Sequence, residues 1–169
     1  MGLVVLLGGA RSGKSALAQR LAGEQATLIA TAAALDAEME QRIRRHRAER
    51  PGAWTTVEET IELGAALDHA GADTIVVVDC LSLWVANLLE AGWTDGDVEE
   101  TAHEVARVAA ARAGLTVAVS NEVGMGVVPV SALGRRYRDV LGRVNASWAE
   151  AADRALLVVA GKAIPLVDA

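Results

Sequence analysis

Short apolar runs alternate with longer amphipathic stretches along the chain. The apolar runs contain aliphatic residues, many of them β-branched, and little charge, which is typical of strands buried in a parallel sheet. Thr74–Asp79 is the clearest example, because Ile-Val-Val-Val leads directly into an acidic residue. The predicted strands are Gly2–Leu7, Thr27–Thr31, Trp54–Val57, Thr74–Asp79, Leu115–Val119 and Arg154–Val159.

Helical patterns occupy the stretches between these strands. In Asp97–Ala113, for example, Val98 and Ala102 begin a row of apolar residues along one helix face. The predicted helices are a segment that follows Ser15 and contains Leu17 and Leu21, then Asp36–Arg50, Glu59–Ala70, Leu81–Leu89, Asp97–Ala113 and Leu133–Ala152. Strands that alternate with helices indicate an α/β fold with a mainly parallel sheet flanked by helices.

Composition is that of a folded globular protein. The 169 residues suffice for one domain with one core, and 52% of them are hydrophobic against 22% charged, which excludes a disordered chain. No internal repeat and no linker interrupts the pattern. Residues 1–169 are therefore expected to form a single domain.

The charge and the single cysteine restrict the partners and the compartment. A net charge of −6 offers no positive field to attract nucleic acid, so no such partner is expected. Cys80 alone cannot form an intrachain disulfide, which points to a reducing compartment. The apolar runs fall short of the ~20 residues of a membrane span, and no basic segment precedes an apolar one at the N-terminus. The sequence predicts a soluble cytoplasmic protein.

The segment after the first predicted strand matches the phosphate-binding P-loop pattern G-x4-G-K-[ST]. In such a loop Lys14 would reach the β- and γ-phosphates, and Ser15 would place its hydroxyl on Mg²⁺. A tight turn with a chance lysine is the alternative, but the chain has 14 arginines and only two lysines, so this lysine is informative. The predicted nucleotide contacts here are Gly8, Gly9, Ala10, Arg11, Ser12, Gly13, Lys14 and Ser15.

Asp79 ends the clearest predicted strand and is the candidate partner of Ser15 in holding Mg²⁺. P-loop enzymes use an acid on a neighbouring strand for the hydrated ion. Ligands of open α/β sheets bind at the carboxyl ends of the strands, which is where Asp79 would lie. The alternative is an aspartate that caps the following helix, Leu81–Leu89.

A basic stretch, Arg42–Pro51, is the second informative segment. On a helix, Arg42, His46 and Arg50 share one face, and their like charges repel unless an anion lies against them. Neighbouring arginines would keep His46 neutral and nucleophilic, so that it could attack a phosphorus and form a covalent nucleotidyl-histidine. A solvated basic face with an uninvolved histidine is the alternative, which the spacing alone favours.

Five motifs occur in a fixed order along nearly the whole chain: Gly8–Ser15, Ile29–Thr31, Arg42–Pro51, Asn121–Pro129 and Gly142–Asn145. Together they resemble the bifunctional adenosylcobinamide kinase / adenosylcobinamide-phosphate guanylyltransferase family. The P-loop alone would be generic. The Asn-Glu-Val-Gly-Met-Gly loop and the His-x3-Arg-Pro segment are far more specific.

The resemblance implies a RecA-like P-loop NTPase fold, a homotrimer and two reactions. The first phosphorylates the aminopropanol hydroxyl of adenosylcobinamide with ATP or GTP. The second transfers GMP from GTP, through a guanylylated histidine, to adenosylcobinamide phosphate and releases pyrophosphate. The product, adenosyl-GDP-cobinamide, enters the nucleotide-loop assembly of coenzyme B12.

The resemblance also implies site residues. The histidine that carries GMP corresponds to His46, which reverses the preference drawn from its spacing. Two positions depart from the family pattern, because Arg45 stands where some members have a second histidine and Asp79 where many have glutamate. Beyond the P-loop, the implied nucleotide contacts are Thr31, Ala32, Ala33, Arg47, Ala48, Glu49, Arg50, Glu58 and Asp79.

Two other functions remain open on the residues alone. A P-loop kinase of a small metabolite would need no covalent step, and labelling of the protein by [α-³²P]GTP distinguishes it. A regulatory GTPase would carry a guanine-specificity motif of the N-K-x-D kind. Asn121-Glu122 follows a strand but lacks the lysine and the aspartate of that motif.

The glycine-rich loop Asn121–Pro129 leaves a predicted strand at the edge where the nucleotide should lie. Gly124 and Gly126 would let its backbone approach a ligand closely, although they could simply make turns. Asn121 and Glu122 carry its best hydrogen-bonding groups. We expect this loop to shape the acceptor side of the site and to contact the corrinoid.

Overall fold

Seven strands and five helices form the described part of the computed structural model, residues 2–32 and 52–167. The strands are β1 (Leu3–Gly8), β2 (Thr27–Ala30), β3 (Thr55–Glu58), β4 (Val76–Asp79), β5 (Thr116–Asn121), β6 (Arg154–Val159) and β7 (Lys162–Leu166). The helices are α1 (Lys14–Ala22), α2 (Leu63–His69), α3 (Leu81–Glu90), α4 (Asp95–Ala111) and α5 (Ala132–Ala151).

One sheet contains all seven strands, in the order β3-β2-β4-β5-β1-β6-β7. The five pairings that join β3 through β6 are parallel, and β7 runs antiparallel to β6 at the edge. The predicted mainly parallel α/β fold is confirmed. Because parallel strands end at the same edge, the segments that follow β1, β2, β3, β4 and β5 meet there.

Alternation along the strands produces two apolar layers, one on each face of the sheet. On one face Val5, Ile29 and Val78 pack against α2, α3, α4 and α5, with the fully buried Trp84 and Trp148 among them. On the other face neighbouring strand residues such as Val77 pack against α1. No helix within the described ranges has both the length and the apolar character needed to cross a membrane.

The last strand, β7, was not predicted from the sequence. Lys162 and Pro165 interrupt its apolar character, and every residue of the strand is exposed. It forms because Ala160 and Gly161, with φ of 49° and 75°, make a two-residue turn that folds the chain back onto β6. Proline is tolerated there because β7 is an edge strand.

Two helices also begin two or more residues away from the predicted start. The helix expected over Glu59–Ala70 begins only at Leu63, because the Glu59 carboxylate accepts hydrogen bonds from the N–H groups of Ile61 and Glu62 and holds a turn there. Helix α4 begins before Asp97, since Thr94 caps it. The predicted helix Asp36–Arg50 lies outside the described residues.

Candidate active site

The P-loop backbone runs from β1 into α1 and needs glycine at both ends. Gly8 and Gly13 have φ of 153° and 105°, which favours glycine. A Cβ atom on Gly8 would lie 2.3 Å from the carbonyl oxygen of Val158, and one on Gly13 would lie 3.2 Å from Cα of Gly161. Strand β6 and the β6–β7 turn thus pack closely against the loop. A side chain at Gly8 or Gly13 would displace the loop from them.

Lys14 lies at the start of α1 and is buried, with 6% of its surface exposed. Its ammonium Nζ donates to the carbonyl oxygens of Gly8 at 2.8 Å and Gly9 at 2.7 Å. Gly9, Ala10 and Arg11 form the exposed turn of the loop. The loop's own carbonyl groups therefore orient the lysine charge.

The ends of β2, β3 and β4 lie side by side at the same edge. Ala30 pairs in register with Glu58 on one side and with Asp79 on the other. Asp79 and Val77 are two residues apart and so point to the same face, the one that α1 covers. Asp79 is thereby placed on the side of the sheet that carries the P-loop and Ser15, at the start of α1.

Thr31 is fully buried and its polar groups are used within the fold. Its hydroxyl donates to the carbonyl of Cys80 at 2.7 Å and accepts from the Cys80 N–H at 2.9 Å. Its carbonyl accepts from Nδ2 of Asn87, which also binds the carbonyl of Thr60. Thr31 therefore fixes the direction in which the chain leaves β2, and the partly exposed Ala32 follows it.

Ser15 and Asp79 fit the demands of a magnesium ion. Both are partly exposed, and neither side chain has a hydrogen-bond or ion-pair partner among residues 2–32 and 52–167. The described residues contain no cluster of three or more His, Cys, Asp or Glu side chains that could enclose a metal. A hydroxyl and one carboxylate match Mg²⁺, which keeps several waters and takes its other ligands from phosphates.

Comparison with known proteins identifies the family. The model of the cobinamide kinase / cobinamide phosphate guanyltransferase family matches residues 4–166. The chain belongs to this family. The "Bifunctional adenosylcobalamin biosynthesis protein CobP" of Pseudomonas aeruginosa is 44% identical over 96% of this chain and 95% of its own length. The corresponding Escherichia coli protein, CobU, is 39% identical over 94% of this chain and 96% of its own length.

A solved structure supports the fold assignment. The P4 protein of bacteriophage phi6, determined in complex with ADP, superposes with a TM-score of 0.55 at 17% identity. The match covers 96% of this chain and 54% of P4, so the chain spans about half of that protein. The predicted P-loop NTPase fold is confirmed, and the resemblance seen in the sequence is confirmed by the family match.

The start of the predicted acceptor loop is tied into the fold. Asn121 donates from Nδ2 to Oγ of Ser82 at 3.1 Å, and the Glu122 carboxylate accepts from the Gly124 N–H at 2.6 Å. Beyond these residues the loop is exposed as far as Val128. No sequence pattern indicated Ser82, which lies on α3 and is far from the loop in the chain.

Helix α5 contributes two further polar groups that sequence reasoning missed. Tyr137 donates its hydroxyl to the carbonyl of Ser82 at 3.0 Å, and burial raises the pKa of this phenol to about 12, so it stays a donor. Asn145 is buried and binds Ser120 and Asn121. The motif Gly142–Asn145 contained the signal for Asn145, as an amide within an apolar helix face.

Part of the predicted site lies outside the described residues. It comprises the proposed nucleophile and its neighbours, and these residues are Ala33, His46, Arg47, Ala48, Glu49 and Arg50. Glu58 is described and is exposed at the end of β3. The structure thus brings together the P-loop, Thr31, Ala32, Glu58 and Asp79 at one edge of the sheet.

Proposed function

We propose that this chain phosphorylates adenosylcobinamide and then transfers GMP from GTP to adenosylcobinamide phosphate through a covalent intermediate on His46. The products of the second reaction are adenosyl-GDP-cobinamide and pyrophosphate. The observation that carries the proposal is the family match over residues 4–166, combined with a P-loop whose lysine is buried and oriented. ATP or GTP is the phosphate donor in the first reaction.

In the kinase reaction the acceptor hydroxyl attacks the γ-phosphorus, its proton leaves to solvent or a base, and the bond from that phosphorus to the bridging oxygen breaks. Lys14 and the N–H groups of the loop stabilise the charge that develops on the phosphate oxygens. Mg²⁺, held by Ser15 and Asp79, would supply further charge neutralisation. ADP or GDP leaves.

In the guanylyl transfer an imidazole nitrogen of His46 attacks the α-phosphorus of GTP, and the bond to pyrophosphate breaks. The phosphate of the acceptor then attacks the same phosphorus, and the P–N bond to His46 breaks. Arg47 and Arg50 would neutralise the leaving pyrophosphate. One P-loop serves both reactions only if the nucleotide or the histidine segment changes position between them.

The acceptor side of the site is assigned in this proposal to the loop that begins with Asn121 and Glu122. Glu122 links the loop to the nucleotide side, because its N–H donates to the carbonyl of Gly8 at 3.0 Å. The exposed residues beyond it extend from the same edge of the sheet. The corrinoid would bind against this surface while GTP occupies the P-loop.

The proposal includes a homotrimer. The number of subunits is the one that the family resemblance implies. Large apolar side chains are exposed in the loop after β5, where Met125, Val127 and Val130 are 72%, 95% and 98% exposed. Ile164 and Leu166 are exposed on the edge strand β7. Exposed apolar surface of this kind is typical of an interface between subunits.

The covalent step is tested by intact mass after incubation with GTP and Mg²⁺. The proposal expects one GMP per chain, attached by a phosphoramidate that survives alkali and hydrolyses in acid, with the peptide containing His46 carrying the label. If the chain phosphorylates cobinamide but forms no adduct with GTP and Mg²⁺, it is a kinase without the covalent step. A label on His69 or His103 would contradict the choice of nucleophile.

A further inference from the structure

Asn145 is a polar residue in the otherwise apolar buried face of α5. It is 4% exposed, and its neighbours on that face, Leu141, Val144 and Trp148, are fully buried. A buried amide costs free energy unless its donors and its acceptor are hydrogen-bonded, whereas a leucine would fill similar space without that cost. The contacts of Asn145 therefore account for its presence.

Both ends of the Asn145 amide bind the last two residues of β5. Its Oδ1 accepts from the hydroxyl of Ser120 at 2.6 Å, and its Nδ2 donates to the backbone carbonyl of Asn121 at 3.1 Å. Asn145 on α5 thus holds the end of β5 at two points, the Ser120 side chain and the Asn121 backbone.

The end of β5 is in turn bonded to the P-loop. Asn121 pairs in register with Gly8, and the N–H of Glu122 donates to the Gly8 carbonyl at 3.0 Å. The same carbonyl oxygen accepts from Nζ of Lys14 at 2.8 Å. A displacement of the β5 end would therefore move a group that orients the lysine.

A second branch reaches the other strand ends. Asn121 donates from Nδ2 to Oγ of Ser82, which lies 2.9 Å from Sγ of Cys80. Cys80 follows Asp79, and its N–H donates to the hydroxyl of Thr31. The ends of β1, β2, β4 and β5 therefore share one hydrogen-bonded network, which Asn145 attaches to α5.

We propose that Asn145 is a positioning residue for phosphate transfer at the P-loop. Through Asn121 and Gly8 it sets where the ammonium of Lys14 stands relative to the transferred phosphate, without contacting substrate itself. Small displacements of such a charge reduce the rate of transfer more than the binding of nucleotide. The inference rests on the proposed function, since its main readout is the rate of that transfer.

The variant that tests it is Asn145→Asp. It keeps the size of the side chain and an acceptor for Ser120, but it replaces the donor to the Asn121 carbonyl with an oxygen. We expect kcat for cobinamide phosphorylation to fall by about 10- to 100-fold, as for other residues that orient a catalytic group. KM for ATP should change by less than about threefold, because the interaction matters most in the transition state.

Val144→Ala is the matched control. Val144 precedes Asn145 on α5, is fully buried and has no polar contact, so its truncation should lower the melting temperature and leave kcat unchanged. If Asn145→Asp does not fold, Ser120→Ala tests the positioning role instead. It removes the hydroxyl that holds Oδ1, and a smaller fall in kcat with unchanged KM is expected.

Amide hydrogen exchange gives a readout that needs no activity. Exchange of the Asn121 and Glu122 N–H groups should accelerate at least tenfold in Asn145→Asp, and in Ser120→Ala to a lesser degree, but not in Val144→Ala. Wild-type kcat in the folded Asn145→Asp variant, or unchanged exchange at these amides, would overturn the inference. If the wild-type chain transfers neither phosphate nor GMP, the proposed function fails instead, while the exchange measurement still tests the positioning.

Discussion

The amide nitrogen of Gly161 donates to the carbonyl oxygen of Ser12 at 2.8 Å, which joins the β6–β7 turn to the P-loop. The opposite end of the loop is bonded to the segment after β5, where the Glu122 N–H donates to Gly8. The loop is therefore held from two sides by the sheet. Its shape is set by the fold, so binding of a nucleotide should require little rearrangement of this segment.

Gly8→Ala is expected to weaken GTP binding by about tenfold or more. The added Cβ would lie 2.3 Å from the carbonyl oxygen of Val158, and the backbone angle at this position strains any side chain. The chain can relieve this strain of about 1–3 kcal/mol by moving the loop away from β6. Restoring the loop for nucleotide binding would then cost the same free energy, which corresponds to the expected loss of affinity. Calorimetric titration with GTP measures it.

Gly142→Ala is the control for that variant. Gly142 lies in α5, and an added Cβ would meet no atom within 4 Å. This variant should bind GTP like the wild type. Its free energy of unfolding should be higher by about 0.5–1 kcal/mol, because alanine is the better helix former. Normal GTP binding by Gly8→Ala would show that the loop tolerates displacement from β6.

Lys14→Ala should lower both transfer reactions by at least about 100-fold, since one buried ammonium serves the phosphates in each. His46→Ala should abolish labelling by [α-³²P]GTP and leave phosphorylation of cobinamide by [γ-³²P]ATP intact. His69→Ala is the control histidine, because that side chain lies on α2, where its Nδ1 forms a hydrogen bond with the Ala65 carbonyl. Loss of the kinase reaction in a folded His46→Ala protein would contradict this division of roles.

Arg112→Met should destabilise the protein without changing its activity. The Arg112 guanidinium donates to the carbonyl oxygens of Leu67, Gly71 and Thr74, at the edge of the sheet opposite Asp79. Methionine would remove the Arg112 hydrogen bonds to all three carbonyls, at a cost of about 3 kcal/mol. Urea unfolding measures the loss, and kcat below the transition should equal that of the wild type.

The exposed Arg107 on α4, the helix that ends just before Arg112, provides the comparison. Arg107→Met should change stability by less than about 0.5 kcal/mol, as is usual for surface positions. Equal effects of the two substitutions would show that the Arg112 hydrogen bonds contribute nothing specific.

The chain is expected to be a trimer in solution, with Met125 and Val127 at or near the contact between subunits. Light scattering should then give three times the 17.6 kDa of one chain. Val127→Glu would place a charge at a side chain that is 95% exposed in the isolated chain, so it should weaken assembly and leave the fold intact. A wild-type species of one chain mass at micromolar concentration would contradict the trimer.

The parts of the fold that the sequence could predict are those determined locally. β1 is an uncharged run buried throughout, and β4 is an apolar run buried up to its terminal Asp79. β7 could not be predicted, because Lys162 and Pro165 form a strand only by pairing with β6. The turn at Glu59 was missed for a similar reason, since a carboxylate there competes with the start of a helix.

The candidate site also has a part that the sequence could predict and a part that it could not. The P-loop is contiguous, so its residue types and spacing are visible in the sequence. The network around Ser82, Asn121 and Asn145 joins three elements that are far apart in the chain. Nothing in the spacing of these residues indicates that they touch, and only the sheet order brings them together.

Glu59→Gln should weaken the fold at neutral pH and lose that effect in acid. The Glu59 carboxylate accepts from the N–H groups of Ile61 and Glu62, and these bonds hold its pKa below the ordinary 4.5. A lowered pKa in the folded state stabilises the protein above the unfolded value, and this contribution disappears as the pH falls through the folded pKa. Because the residue is partly exposed, solvent screens the interaction and the difference should be about 1 kcal/mol or less. Urea unfolding between pH 7 and strongly acid conditions should show wild type and variant converging, whereas Glu62→Gln, which leaves the accepting carboxylate in place, should follow the wild type throughout.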